Sequence, residues 1–276
     1  MKPATLAALP ALLAMTILAV GCGPKPDGKT SLASSESWCP DGFEIGPADT
    51  CFAIPEKTEK DTPILVYLHG MYEGHGSAEE WALVRLATTK GFAVIIPRGK
   101  RGSCELRAEL KNHFCWPREA EDPQAAKTIV GEWEKVIWQV NALLEPGTHP
   151  RFVMGFADGG AFTAYLASRS LFPASGWSVV NGGQLEPMSH GKKAPMILVS
   201  GAGDAESAPH MRELSDGLTK WAWPHAACVR PGGHALTAED VEASLAFFRH
   251  DALNYGGSGA SAKQPLSCEG GTKPAP

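Results

Sequence analysis

The chain has 276 residues, is 43% hydrophobic and 20% charged, and carries a net charge of −5. Length and composition suit one α/β domain with a sizeable core. The mild acidity, with no basic cluster or aromatic-plus-basic stripe, argues against a nucleic-acid partner. The histidines are scattered with no His-Glu-x-x-His, and the cysteines match no zinc spacing, so neither a metal nor a cofactor is expected.

Met1-Lys2 precedes an almost wholly apolar run, Leu6 to Val20, too short and alanine-rich for a membrane span. Residues 1–21 read as a secretory signal. The run ends Leu18-Ala19-Val20-Gly21-Cys22, which resembles a bacterial lipobox, with Ala19 where leucine is more usual. That resemblance implies a lipid anchor on Cys22 and a cell-envelope location, and Gly23 after it leans toward the outer membrane. Residues 22–37, rich in Gly, Pro, Lys and Ser, suit a flexible tether. The folded domain is expected over 38–255, and 256–276 reads as a low-complexity tail. Cys39, Cys51, Cys104, Cys115, Cys228 and Cys268, even in number behind a secretion signal, point to disulfides in an oxidising compartment. Six cysteines allow many connectivities, and local pairing, Cys39–Cys51, Cys104–Cys115 and Cys228–Cys268, is the expectation.

Apolar runs then alternate with helical patterns, as in a mostly parallel sheet covered on both faces. Phe43–Ile45 and Cys51–Ile54 flank a Gly-Pro turn and predict an entry hairpin; Ile64–Leu68 predicts a fully buried strand. Ser77 and Glu80 form a capping-box pattern opening a helix to about Lys90, and Phe92–Ile96 is the next strand. Residues 98–121 are a long charged loop holding Cys104, Cys115 and Trp116, long enough to read as functional. Asp122-Pro123 caps a long helix with Ala126, Ile129, Val130, Trp133, Val136, Ile137, Val140 and Leu144 on one face, so Trp133 reads as core. Strands follow at Phe152–Met154, Ser178–Val180, Met196–Val199 and Ala226–Val229, with helices at 159–171, near 209–220, and from the Thr237/Asp240 capping box to about Arg249. About eight strands are expected, with no insertion large enough for a lid domain.

The segment Gly155-Phe156-Ala157-Asp158-Gly159 lies between a strand and a small-residue helix, in the layout of a Gly-x-Ser-x-Gly nucleophile elbow. His69-Gly70-Met71 follows the strand at 64–68, Gly201-Ala202-Gly203-Asp204 follows that at 196–199, and Gly232-Gly233-His234 follows that at 226–229. Over roughly 40–250 this order resembles the α/β-hydrolase superfamily, above all small secreted esterases of the feruloyl-esterase, polyhydroxyalkanoate-depolymerase and dienelactone-hydrolase kinds. The resemblance implies Ala157 at the nucleophile's place, Asp204 as the acid (Glu206 a poorer candidate), and His234 as the base. It also implies backbone oxyanion donors at Met71 and Asp158.

Alanine has neither an acidic proton nor a lone pair, so acyl transfer through this position is closed. Loss of such a nucleophile costs on the order of 10⁶ in turnover, with a residual of roughly 10³–10⁴ over water from binding and the oxyanion hole. Asp158 as a substitute would need a small residue where Phe156 stands. Three readings follow: a pseudoenzyme binding a small ester or carbohydrate-linked ligand, an ester hydrolase with a non-standard nucleophile, and a structural envelope lipoprotein.

Overall fold

A computed structural model describes residues 38–72, 74, 76–104, 108–117, 123–184 and 193–255. The signal, the tether, Cys22, Cys268 and the C-terminal tail therefore lie outside the described residues. The strands are β1 (Glu44–Gly46), β2 (Thr50–Ala53), β3 (Ile64–Leu68), β4 (Ala93–Pro97), β5 (Lys100–Arg101), β6 (Phe114–Cys115), β7 (Arg151–Phe156), β8 (Gly176–Val180), β9 (Met196–Gly201) and β10 (His225–Arg230). The helices are α1 (Ala78–Thr89), α2 (Pro123–Leu143), α3 (Asp158–Arg169), α4 (Ala208–Lys220) and α5 (Ala238–Phe247). Eight strands form one sheet in the order β1-β2-β4-β3-β7-β8-β9-β10, parallel except that β2 is antiparallel to both β1 and β4.

The apolar runs explain the burial. Strands covered on both faces have no polar side to show, so they read as continuous hydrophobic stretches. In β3, Ile64, Val66 and Leu68 face the layer holding α2, α3 and α4, and Leu65 and Tyr67 face the layer of α1 and α5. Trp133 of α2 is buried as expected, in edge-to-face contact with Trp116 (6.1 Å) and Phe162 (6.3 Å).

Most strand ends shift by one or two residues, and a few expectations change more. Strand β7 runs on through Phe156, and α3 starts at Asp158 and stops at Arg169, where Ser170 turns left-handed (φ 53°) and caps the Leu166 and Ala167 carbonyls. The last helix ends at Phe247 and continues as a π-turn, Phe248–Ala252. Inside 98–121, β5 and β6 pair as a small antiparallel hairpin. Cys39 bonds to Cys51 and Cys104 to Cys115, each at a Cα separation of 5.4 Å. Cys228 is also disulfide-bonded.

On the α5 side, Phe152 of β7 stacks on Phe248 (centroids 4.5 Å apart, planes at 18°) and meets Phe92 edge-on. Removing the Phe152 ring leaves a void under the strand that carries the turn at 157. Phe152→Ala should cost about 3–5 kcal/mol in chemical denaturation; a loss under about 1 kcal/mol would mean that this layer closes around the gap.

Candidate active site

Ala157 stands alone between the last residue of β7 and the first of α3, at φ 51° and ψ −115°. A non-glycine residue there carries a strain of order 1–3 kcal/mol and persists only where its surroundings leave no alternative. The surroundings are visible. A Cβ on Gly155 would lie 2.1 Å from the Gly159 carbonyl oxygen, and one on Gly159 would lie 2.1 Å from the Leu68 carbonyl oxygen. The Ala157 N–H donates to the Val180 carbonyl (3.0 Å), and its own carbonyl accepts from the Ala161 N–H (3.1 Å) to start α3. The same crowding rules out a turn shifted by one residue, because Phe156 would then stand where only glycine fits. Asp158 is buried in the first turn of α3, where its Oδ2 accepts the Trp116 backbone N–H at 2.8 Å.

Beside the elbow lies the loop after β3. A Cβ on Gly70 would be 3.5 Å from the Ala157 Cβ, so loop and tip face each other. His69 is fully buried. Its Nε2 accepts the Gly99 N–H (2.9 Å), which leaves the proton on Nδ1, donated to the Gly70 carbonyl (2.5 Å). Burial lowers its pKa to about 3, so the ring is neutral. Glu80 accepts the Tyr67 hydroxyl (2.6 Å) and the Gly70 N–H (3.3 Å). Burial pushes the Glu80 carboxyl up and the Tyr67 hydroxyl well up. This corrects the expected capping box. Ser77 accepts the Glu80 N–H (3.2 Å), but the Glu80 carboxylate turns into the core toward the hydroxyl and the loop. Met71 follows with its side chain partly exposed. The first N–H groups of α3, beginning at Asp158, lie at the positive end of the helix dipole.

The third wall is the loop after β10. His234 Nδ1 donates to Asp204 Oδ2 at 2.8 Å, which leaves Nε2 as the ring's acceptor nitrogen. Asp204 is 2% exposed, and Glu206, the alternative acid, is exposed and plays no part in the pair. Burial pushes the Asp204 carboxyl up, but the hydrogen bonds from Ser207 and His234 outweigh it and hold the group below its ordinary value. The His234 ring packs against Phe156, one residue before the tip, with centroids 5.5 Å apart.

Sequence reasoning missed the residues that hold this wall. Buried Arg230 pairs through Nε with Asp240 and clamps the carbonyls of Pro231 (3.0 Å) and Ala235 (2.6 Å), on either side of His234. Asn181, itself left-handed (φ 48°), donates to the Ala235 carbonyl (2.9 Å) and accepts the Gly201 N–H (2.8 Å). The one available signal was a polar residue at the end of an apolar strand, Asn181 after β8 and Arg230 closing β10. Asp240, by contrast, completes the expected capping box with Thr237.

Because the folded Asp204 titrates below its unfolded value of about 3.9, its stabilisation is complete above that pH and is lost as pH falls through the folded pKa. Asp204→Asn should therefore cost about 1.5–3 kcal/mol at pH 6 and flatten the acid limb of a denaturation series. An unchanged acid limb would show that other carboxylates set it.

No protein-family model matches the chain, and no curated protein matches it. Solved structures do. A candidate dienelactone hydrolase from Klebsiella pneumoniae superposes with a TM-score of 0.54 at 17% identity, over 75% of this chain and 92% of its own. YahD with malic acid gives 0.53 at 16%, over 73% and 98%. Esterase PE8 gives 0.51 at 16%, over 71% and 95%. At such identities the likeness is one of fold.

Proposed function

The chain has the α/β-hydrolase fold, and on that premise we propose that it is a pseudoenzyme: a hydrolase-like envelope protein that holds a small carbonyl-bearing ligand without cleaving it. The observation that carries this reading is the tip of the elbow, where Ala157 keeps the strained turn but has no atom to attack with. The rest of the apparatus supports a ligand. Losing Asp204 alone strands its partners, but a fold needing only stability is served as well by apolar side chains in place of the whole set. The Asp204–His234 bond orients one imidazole nitrogen outward. An ester or other neutral carbonyl compound suits that arrangement, with its oxygen on the Met71 and Asp158 N–H groups and its body against Phe156.

The envelope setting belongs to the same proposal. The signal-like start, the lipobox-like Cys22 and the disulfides are consistent with a lipid-anchored protein facing an oxidising compartment. No described helix is long and apolar enough to cross a membrane.

The retained Asp204–His234 pair favours a second reading, hydrolysis by a water that His234 deprotonates. Asp158 is a poor nucleophile under either, since its carboxylate is engaged with Trp116.

A fluorophosphonate probe separates these. The native chain should not be labelled, and Ala157→Ser should gain labelling that His234→Ala then removes. Labelling of the native chain would mean that a different serine is the nucleophile. Ester turnover by the native chain, lost in His234→Ala, would replace the first reading by the second.

A further inference from the structure

The hairpin between β4 and α2 touches both halves of the site. The Cys104–Cys115 bond closes it one residue before Trp116. The Trp116 backbone N–H donates to Asp158 Oδ2 on the elbow side (2.8 Å), and its indole N–H donates to the His69 carbonyl on the oxyanion side (2.8 Å). At the hairpin's other root, the Gly99 N–H donates to His69 Nε2 (2.9 Å). The Trp116 ring stacks on Phe162 of α3 (5.3 Å, 11°), and the Phe114 N–H donates to the Tyr72 carbonyl (2.9 Å).

We infer that Trp116 is a positioning residue and that the Cys104–Cys115 bond keeps it docked: the closed hairpin braces the elbow against the oxyanion loop, so the geometry of the ligand site depends on that bond. The inference rests on the reading of these loops as a ligand site. A cross-link acts by removing open states of the segment it closes. Without it the hairpin spends more time undocked, and local opening of that kind is read by amide exchange. Trp116 contributes through two donors of fixed direction and one large ring face. A side chain lacking the indole N–H keeps the stacking and loses the tie to His69. Cys39–Cys51 joins the chain before β1 to β2 at the outer edge of the sheet and serves as the control.

The experiment is amide hydrogen exchange on the full chain and on three variants: C104S/C115S, C39S/C51S and W116F. In C104S/C115S the amides of Gly70, Gly99, Ala157 and Ala161 should exchange at least about tenfold faster, while those of Val199 and Ala226 keep their native rates. W116F should speed Gly70 and Gly99, and C39S/C51S should leave all four unchanged. Native rates at the four amides in C104S/C115S would overturn the inference, as would equal acceleration across the whole sheet. If C104S/C115S does not fold, W116F decides alone, and native rates there also overturn it. In the Ala157→Ser background, adding C104S/C115S should lower fluorophosphonate labelling at least about tenfold; undiminished labelling counts against the brace. No labelling of Ala157→Ser with both disulfides intact would instead count against the reading of these loops and leave the exchange result standing.

Discussion

The site is organised by a steric constraint, the close crossing of β7, α3 and the end of β3. Gly155 and Gly159 meet carbonyl oxygens so closely that neither position admits a Cβ. Given that crossing, the residue between them has one conformation open to it, and Ala157 adopts it at a cost in strain. The strained turn is therefore kept with only a methyl group at its tip. Packing alone maintains the turn, whichever small side chain sits at its tip, so the turn by itself says nothing about activity.

The polar groups on the far wall carry a different message. Packing does not require Asp204, Ser207 and His234 to be there. Losing one partner of a buried, hydrogen-bonded carboxylate is costly, but replacing the whole set by apolar groups of similar volume is often neutral or better for stability. Arg230, itself held by Asp240, and Asn181 add further hydrogen bonds to the carbonyls flanking His234 and to the Gly201 N–H, at the root of the Asp204 loop. Each such bond is worth about 1 kcal/mol net and costs more if left half-made. A wall built this way holds the His234 imidazole in one orientation, which core packing does not require.

Two regions of the sheet hold the site in different ways. The β7–α3 side sets position through volume, with Trp116, Trp133 and Phe162 filling the space behind the elbow. The β9–β10 side sets side-chain orientation through hydrogen bonds. Neutral His69 stands between them, its tautomer fixed by the Gly99 N–H, and joins the loop after β3 to the disulfide hairpin.

What the sequence determined by itself was whatever depends on neighbours along the chain. Apolar runs such as Ile64–Leu68 announced buried parallel strands, the helical spacing from Ala126 to Leu144 put Trp133 in the core, and the glycines around Ala157 announced a tight turn. The order of the loops at 69, 157, 204 and 234 was legible for the same reason, since each follows a strand end. Tertiary structure alone decided which distant groups meet. Glu80 looked like a helix cap and became the acceptor for Tyr67. Arg230 and Asn181 gave almost no signal, yet they hold the His234 loop. Trp116 carried no mark of its ties to Asp158 and His69, which lie 42 and 47 residues away. Periodicity records which face of an element is buried; it does not record the partner across the fold, because a hydrogen bond between remote residues leaves no pattern in either local segment.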